Sequence, residues 1–239
     1  FVLVGYNLRF LKSLKFFRNL VQSNEIGKLQ YAYVHYTQRK LIPTDVFSSW
    51  CEQSNILQYL GIHYIDLIQW MTNFTPIKCL ATGQSDYLQE KGFETYDSIQ
   101  ISIFWKRHDD KQFVSHHMTS WVDPNKSLAM SNQKYLISGS SGILDIDQTN
   151  RGIIEITDAN GVRSINPYFS HKYISLNNSI TFSGYGIESI KDFLRDTYNV
   201  VYRSTSLAEA NRHKATFDDC IVGMSILESA KLSLKSSKI

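Results

Sequence analysis

The stretch Asn55-Ile-Leu-Gln-Tyr-Leu-Gly-Ile-His-Tyr-Ile-Asp-Leu-Ile-Gln-Trp70 is the most informative part of the sequence. Its apolar residues recur at helical spacing and predict a largely buried helix. Three residues able to bind or move a proton, Tyr59, His63 and Asp66, interrupt the apolar pattern. Tyr59 and His63 are four residues apart, so we expect both on one face, with Asp66 close enough to contact His63. From the helix alone, His63 is either catalytic or a core histidine satisfied by Asp66 or a backbone carbonyl.

Strand patterns surround this helix. Alternating apolar and polar residues, rich in aromatic and β-branched side chains, predict strands over 28–37, 77–85, 96–106, 112–121, 134–138, 142–147 and 152–157. Asn160-Gly161 is a strong hairpin signal. Because most of these strands follow one another without helices between them, they favour an antiparallel sheet.

Helical patterns occupy the two ends of the chain. Phe1–Tyr6 is expected to be a strand that leads into a helix over 9–21, and 186–198 is a second helix. The capping-box pattern Ser206-Leu-Ala-Glu209 predicts the start of a long helix to about Leu234. The expected fold class is therefore α+β, a single large, mostly antiparallel sheet with helices packed on one face. The other face also needs cover, which predicts a homodimer or homotetramer through the sheet face.

The amino-acid composition limits the classes of partner and site that we expect. With 43% apolar residues the chain can form a real core, and its 25 basic and 22 acidic side chains are mixed, giving a charge of only +3. This pattern predicts neither a nucleic-acid partner nor membrane insertion. The three cysteines, Cys51, Cys79 and Cys220, have no metal-ligand spacing; they predict no metal site and indicate free thiols in a reducing, cytoplasmic environment.

Several motifs, in order, resemble the Gfo/Idh/MocA family of NAD(P)-dependent sugar oxidoreductases, specifically its C-terminal domain. The most specific is Gly61-Ile-His-Tyr-Ile-Asp66 with Trp70, which resembles the family's GxHxxDxxxW helix. The others are Val4–Phe10 (the entry after the cofactor domain), Asn24-Glu-Ile-Gly27 (the GxxG turn), Ser138–Leu144 (the GxxGxL hairpin), and 187–193 with 206–230 (the closing helices).

The resemblance implies that residues 1–239 are a C-terminal substrate-binding and oligomerisation domain, with the Rossmann dinucleotide-binding domain missing upstream. The sequence contains no Gly-x-Gly-x-x-Gly, so NAD or NADP is expected to bind mainly to that missing domain, whose lysine would help polarise the substrate. The chain alone is therefore not expected to be active, and no cofactor-binding residue is assigned in it.

The resemblance also implies catalytic residues. His63 would exchange a proton with the substrate hydroxyl during hydride transfer. Tyr59 occupies the position where the family commonly has an aspartate. A tyrosine with a solution pKa of about 10 cannot support the histidine as an anion at neutral pH, but it can hydrogen-bond the substrate oxygen. An alternative is a non-catalytic sugar-binding sensor or a dimerisation module derived from the same family.

Other residues are candidates for substrate binding. Arg9 is expected either to contact substrate or cofactor, or to be a solvated arginine at a helix start. Trp121 and Lys126 bound a segment suited to sugar rings and anionic groups, and Arg151 suits an anionic substrate; ordinary surface roles are the alternative. The expected ligand is a sugar or sugar acid, since 53–66, 150–152 and 166–168 resemble family members that act on uronic acids such as D-galacturonate. His116 and His117 should point to opposite faces of a strand, with water-facing roles as the default.

Overall fold

Six strands form one sheet at the centre of the fold. The computed structural model describes residues 2–212 and 214–236. The strand order is β2-β3-β4-β1-β5-β6. The strands are β1 (Leu29–Arg39), β2 (Thr75–Gln84), β3 (Ser98–Lys106), β4 (Gln112–Asp123), β5 (Ser131–Gly139) and β6 (Ile143–Asp147). Neighbouring strands are antiparallel except for β1 and β4, which run parallel. A parallel pair needs a long connection, and residues 40–111 supply it. The predicted α+β class with a mostly antiparallel sheet is confirmed.

Several helices pack on one face of this sheet. The helices of the described residues are α1 (Lys12–Gln22), α2 (Ile62–Thr72), α3 (Tyr87–Glu90), α4 (Tyr185–Tyr202), α5 (Leu207–Ala210) and α6 (Phe217–Ser236). A 3₁₀ turn, Asn7–Phe10, precedes α1, and a π-helical turn, Leu57–Gly61, leads directly into α2. The core includes Leu14 and Phe17 of α1, Ile65 and Ile68 of α2, and Leu227 of α6. No helix among the described residues is both long and apolar enough to cross a membrane.

The two faces of the sheet differ as strand alternation requires. On β3, Ile99, Ile101, Ile103 and Trp105 are buried beneath the helices. The opposite face leaves large side chains exposed, among them Tyr31, Tyr33, Leu80 and Met118.

The two adjacent histidines of β4 show the same alternation. His116 is exposed and His117 is buried, so the predicted opposite orientation is confirmed, but the expectation that His117 faces water is wrong. Trp105 Nε1 donates to Ser115 Oγ (2.8 Å), which lies 2.9 Å from His117 Nε2. Burial lowers the pKa of His117 to about 3, so this ring is neutral.

The chain departs from the expected sheet after β6. The strands β7 (Ile154–Thr157) and β8 (Gly161–Ser164) form a separate two-stranded sheet, so the hairpin predicted at Asn160-Gly161 is present. The strands β9 (His171–Ile174) and β10 (Ile180–Ser183) form a second such pair. Placing the strand at 152–157 in the main sheet was therefore wrong. Asp147 Oδ1 accepts the backbone N–H of Thr149 (2.8 Å), a turn that leads the chain away from the sheet edge.

Two predictions at the chain ends need correction. Residues 2–6 form no strand, and Phe1 lies outside the described residues. The helix predicted from Ser206 stops at Ala210, although the cap is formed, with Ser206 Oγ accepting from Glu209 N. The long helix α6 begins later, after a second cap in which Asp219 Oδ2 accepts from Thr216 N (3.0 Å). Of the predicted helix, His213 lies outside the described residues.

Two of the glycine motifs meet in space. Ile26 O accepts a hydrogen bond from Ser141 N (2.9 Å), so the 139–142 hairpin lies against the turn that ends in Gly27. A Cβ on Gly139 would lie 2.1 Å from Ile26 O. Both motifs therefore serve close packing between the start of β1 and the end of β5.

This contact gives a stability prediction. Because the alanine Cβ would collide with backbone rather than with a movable side chain, Gly139→Ala should lower the free energy of unfolding by about 1–3 kcal/mol in urea titrations. The matched control is Gly5→Ala, whose Cβ has no neighbour within 4 Å; we expect a change of about 0.5 kcal/mol or less. Equal effects of the two substitutions would contradict the packing argument.

Candidate active site

A buried ion pair fixes the helix that carries the candidate catalytic residues. Arg9 donates from Nε to Asp66 Oδ2 (2.9 Å) and from Nη2 to Asp66 Oδ1 (2.5 Å). The two residues are only 7% and 5% exposed. Burial raises the pKa of Asp66, and the hydrogen bonds from Arg9 oppose that rise. The solvated helix-start role expected for Arg9 is replaced by this pair, whereas its contact with substrate or cofactor stays a prediction. The expected contact between Asp66 and His63 is also replaced, because the carboxylate is already bound to Arg9.

His63 lies on the partly buried side of α2, next to the entry segment. Its ring meets the Tyr6 ring edge-on, with centroids 5.8 Å apart. Nδ1 is enclosed and has no hydrogen-bond partner among the described residues. Nε2 forms no hydrogen bond with the described residues either, and it is not fully enclosed. Burial lowers the pKa of His63 below its usual 6.5, so the ring is neutral at pH 7 and can accept a proton.

Tyr59 occupies the π-helical turn that precedes α2. Its ring packs against Phe47 (4.9 Å) and Trp50 (5.9 Å). Burial raises the pKa of Tyr59, and the side chain of Gln38 opposes that rise. The hydroxyl is therefore protonated and can donate a hydrogen bond. Single π-helical turns inside helices occur often at functional sites. Within the described residues Tyr59 shares no hydrogen bond with His63, so the two side chains are held independently.

The other candidate residues are dispersed. Trp121 is fully buried, and its indole N–H donates to Tyr96 O (2.7 Å). Its expected contact with a sugar ring is therefore corrected to a core role. Lys126 is exposed in the turn after β4 and forms no ion pair with the described residues. Arg151 is half-buried, with Nη2 3.4 Å from Gln133 Oε1.

A row of polar residues that the sequence analysis missed lies under α2. Tyr36 on β1 pairs with Gln133 on β5, and Gln148, just after β6, donates its backbone N–H to Gln133 O (2.7 Å). Tyr64, the residue after His63, donates to Gln133 Oε1 (3.3 Å). The rings of Tyr36 and Tyr64 are 4.7 Å apart. The available signal was polar residues at inward-facing strand positions, where apolar ones are the rule.

Comparison with a family model identifies the domain. The model described as the GFO/IDH/MocA C-terminal domain matches residues 15–145, more than half of the chain. The chain belongs to the GFO/IDH/MocA family and contains its C-terminal domain. The resemblance found in the sequence motifs is thereby confirmed. The curated proteins gave no match to this sequence.

Solved structures share the fold. Three of them are myo-inositol 2-dehydrogenase from Lactobacillus plantarum (17% identity, TM-score 0.64), scyllo-inositol dehydrogenase from Lactobacillus casei with bound NAD(H) and scyllo-inositol (14%, 0.66), and a myo-inositol dehydrogenase from Corynebacterium glutamicum (17%, 0.60). The matches cover 96%, 97% and 98% of this chain but 62%, 62% and 63% of those proteins. The chain thus spans less than two thirds of their length, and identities this low show a common fold only.

The ion pair leads to a second stability prediction. Asp66→Asn leaves the Arg9 guanidinium buried without its counter-charge, which should lower the free energy of unfolding by about 3–5 kcal/mol. The matched control is Glu228→Gln, which breaks the exposed pair with Lys231 and should cost at most about 1 kcal/mol. Replacing both Arg9 and Asp66 by leucine should lower the free energy of unfolding less than Asp66→Asn does. If Asp66→Asn lowers the free energy of unfolding no more than Glu228→Gln does, the ion pair does not fix α2.

Proposed function

We propose that this chain is the substrate-binding half of an NAD(P)-dependent oxidoreductase acting on a sugar or sugar acid. The observation that carries the proposal is His63, a neutral imidazole held on a fixed helix with one nitrogen that is neither hydrogen-bonded nor fully enclosed. Family membership supports the reaction class, and the inositol dehydrogenases that share the fold support a polyhydroxylated substrate.

In the proposed reaction, the substrate carbon that bears the hydroxyl loses a hydride and the hydroxyl loses its proton. When bound, the nicotinamide supplies the hydride acceptor. His63 takes the proton at Nε2 in oxidation and returns it in reduction. Tyr59, protonated at neutral pH, donates a hydrogen bond that holds the reacting oxygen.

The cofactor itself is proposed to bind elsewhere. The residues of this chain do not fit a dinucleotide site, since none of its glycines forms the Gly-x-Gly-x-x-Gly turn that cradles a pyrophosphate. We therefore propose that residues 1–239 are one substrate-binding and oligomerisation domain that works with a dinucleotide-binding domain upstream. NAD and NADP both remain candidates, because the residues that read the ribose belong to that other domain. The three free thiols are consistent with a cytoplasmic location.

One observation favours a second candidate function. Tyr59 stands where the family commonly has an aspartate, and the nearest acidic residue on α2, Asp66, is bound to Arg9. His63 therefore has no anionic partner among the described residues. A protein of this kind would bind a sugar without turnover, as a sensor or a dimerisation module.

Mutation of His63 separates the two functions. In the protein with its dinucleotide-binding domain, His63→Ala should lower kcat by roughly 10²–10⁴, because the proton loses its acceptor. The measurement is reduced nicotinamide absorbance with both cofactors over a panel of sugars, sugar acids and inositols. The matched control is His171→Ala, an exposed histidine on β9, which should leave kcat unchanged. A loss below about threefold would rule out the role of His63, and sugar binding without any turnover would favour the sensor.

The open sheet face leads to a prediction about assembly. Tyr31, Tyr33, Leu80 and Met118 are each more than a third exposed on one surface, which fits a self-association interface in a homodimer or homotetramer. Tyr33→Lys should shift sedimentation velocity profiles towards the monomer, because it buries a charge in that interface. The control is Phe16→Lys on α1, equally apolar and more exposed but on another surface. If the wild-type protein is a monomer at about 50 µM, the proposed interface is wrong, because association at that concentration requires only a modest affinity.

A further inference from the structure

The polar row beneath α2 is unusual in its position. Tyr36 on β1, Gln133 on β5 and Gln148 just after β6 are neighbours on the side of the sheet occupied elsewhere by buried residues such as Tyr135 and Ile137. Each of the three row residues is less than 9% exposed. The sheet therefore changes from apolar to polar at this end of its covered face.

Gln148 is the clearest sign that the row is built for something other than packing. Both atoms of its side-chain amide, Oε1 and Nε2, are enclosed and have no hydrogen-bond partner among the described residues. A buried polar group left unpaired is destabilising, so a leucine here would favour stability. An amide offers two donors and two acceptor lone pairs, the set that neighbouring hydroxyl groups of a sugar satisfy.

Arg151 adds a positive charge to the row. Its Nη2 lies 3.4 Å from Gln133 Oε1, a weak contact to a neutral group. The two buried arginines are neutralised, Arg9 by Asp66 and Arg107 by Asp109, whereas the half-buried Arg18 and Arg39, like Arg151, donate to neutral oxygens. Arg151 has no carboxylate within ion-pair distance among the described residues. A guanidinium presents a planar fork of donors that matches a carboxylate, and it is therefore poised for an anionic ligand.

The row is connected to the helix that carries His63. Tyr64 Oη donates to Gln133 Oε1, so this acceptor is shared by α2 and by Arg151. Next to Tyr36 on the same face of β1, Gln38 Nε2 donates to Ser131 Oγ (2.9 Å), and Gln38 Oε1 is enclosed without a hydrogen-bond partner among the described residues.

We propose that Gln133, Gln148 and Arg151 form a substrate subsite that selects sugar acids over neutral sugars. Gln148 hydrogen-bonds ring hydroxyls, and Arg151 pairs with the carboxylate. Gln133 holds the guanidinium in place between them. The proposal rests on the proposed function for its substrate family, but it concerns binding alone and requires no turnover.

Direct binding to this chain is the test. Isothermal titration with D-galacturonate and D-glucuronate is compared with titration using D-galactose and D-glucose, which differ from them only at the carboxylate. We expect the acids to bind at least tenfold more tightly, since a hydrogen bond to a charged group is stronger than one between neutral groups. Arg151→Gln should remove this preference and leave binding of the neutral sugars unchanged. Gln148→Leu should weaken acids and neutral sugars alike, and circular dichroism with thermal melting checks that each variant is folded.

The control is Arg163→Gln on β8, an arginine paired with Glu155 outside the row, which should keep the preference. Equal affinities for acids and neutral sugars, or no binding of the acids at about 10 mM, would overturn the subsite, because even weak specific recognition gives millimolar affinity. An equal loss of affinity for sugar acids and neutral sugars in Arg151→Gln would also overturn the subsite. Selective binding of acids in a protein that turns over none of them would instead overturn the proposed function and leave the subsite standing.

Discussion

The buried pair of Arg9 and Asp66 is the interaction on which the site depends. Two charges removed from water are costly unless they meet with good geometry, and here two hydrogen bonds join them. The pair ties the turn Asn7–Phe10 to the middle of α2. It therefore fixes the entry segment beside the helix and brings the Tyr6 ring against His63. The ion pair at Asp66, about one turn after His63 in α2, therefore determines where the candidate base His63 lies.

Adjacent residues of α2 face different parts of the molecule, because successive residues of a helix point about 100° apart. His63 faces the entry segment, where burial keeps it neutral and Nδ1 has no hydrogen-bond partner among the described residues. Tyr64 faces the sheet and bonds to Gln133 in the polar row. A proton acceptor and a set of hydrogen-bonding groups are thus held by the same rigid element.

Local patterns predicted much of the fold. The alternation in 96–106 and 112–121 marked β3 and β4, and the apolar spacing of 55–70 marked α2, because both signals depend on which face is buried. The predictions that were wrong depend on distant contacts. Residues 2–6 hold no strand, the strand at 152–157 leaves the main sheet, and a good cap at Ser206 begins only one short turn, because a cap determines where a helix starts and not how far packing sustains it.

The sequence by itself determined the fold class, the helix of His63 and the family, since hydrophobic periodicity and motif spacing are local properties of the chain. Only the tertiary structure decided the partners of the charged groups. Asp66 binds Arg9, 57 residues away, rather than His63 three residues away. Gln133 meets Gln148 and Arg151 because β5 pairs with β6 and both residues follow directly after β6. A buried charge binds whichever counter-charge the packed chain brings within reach, and the order of residues does not state which one that is.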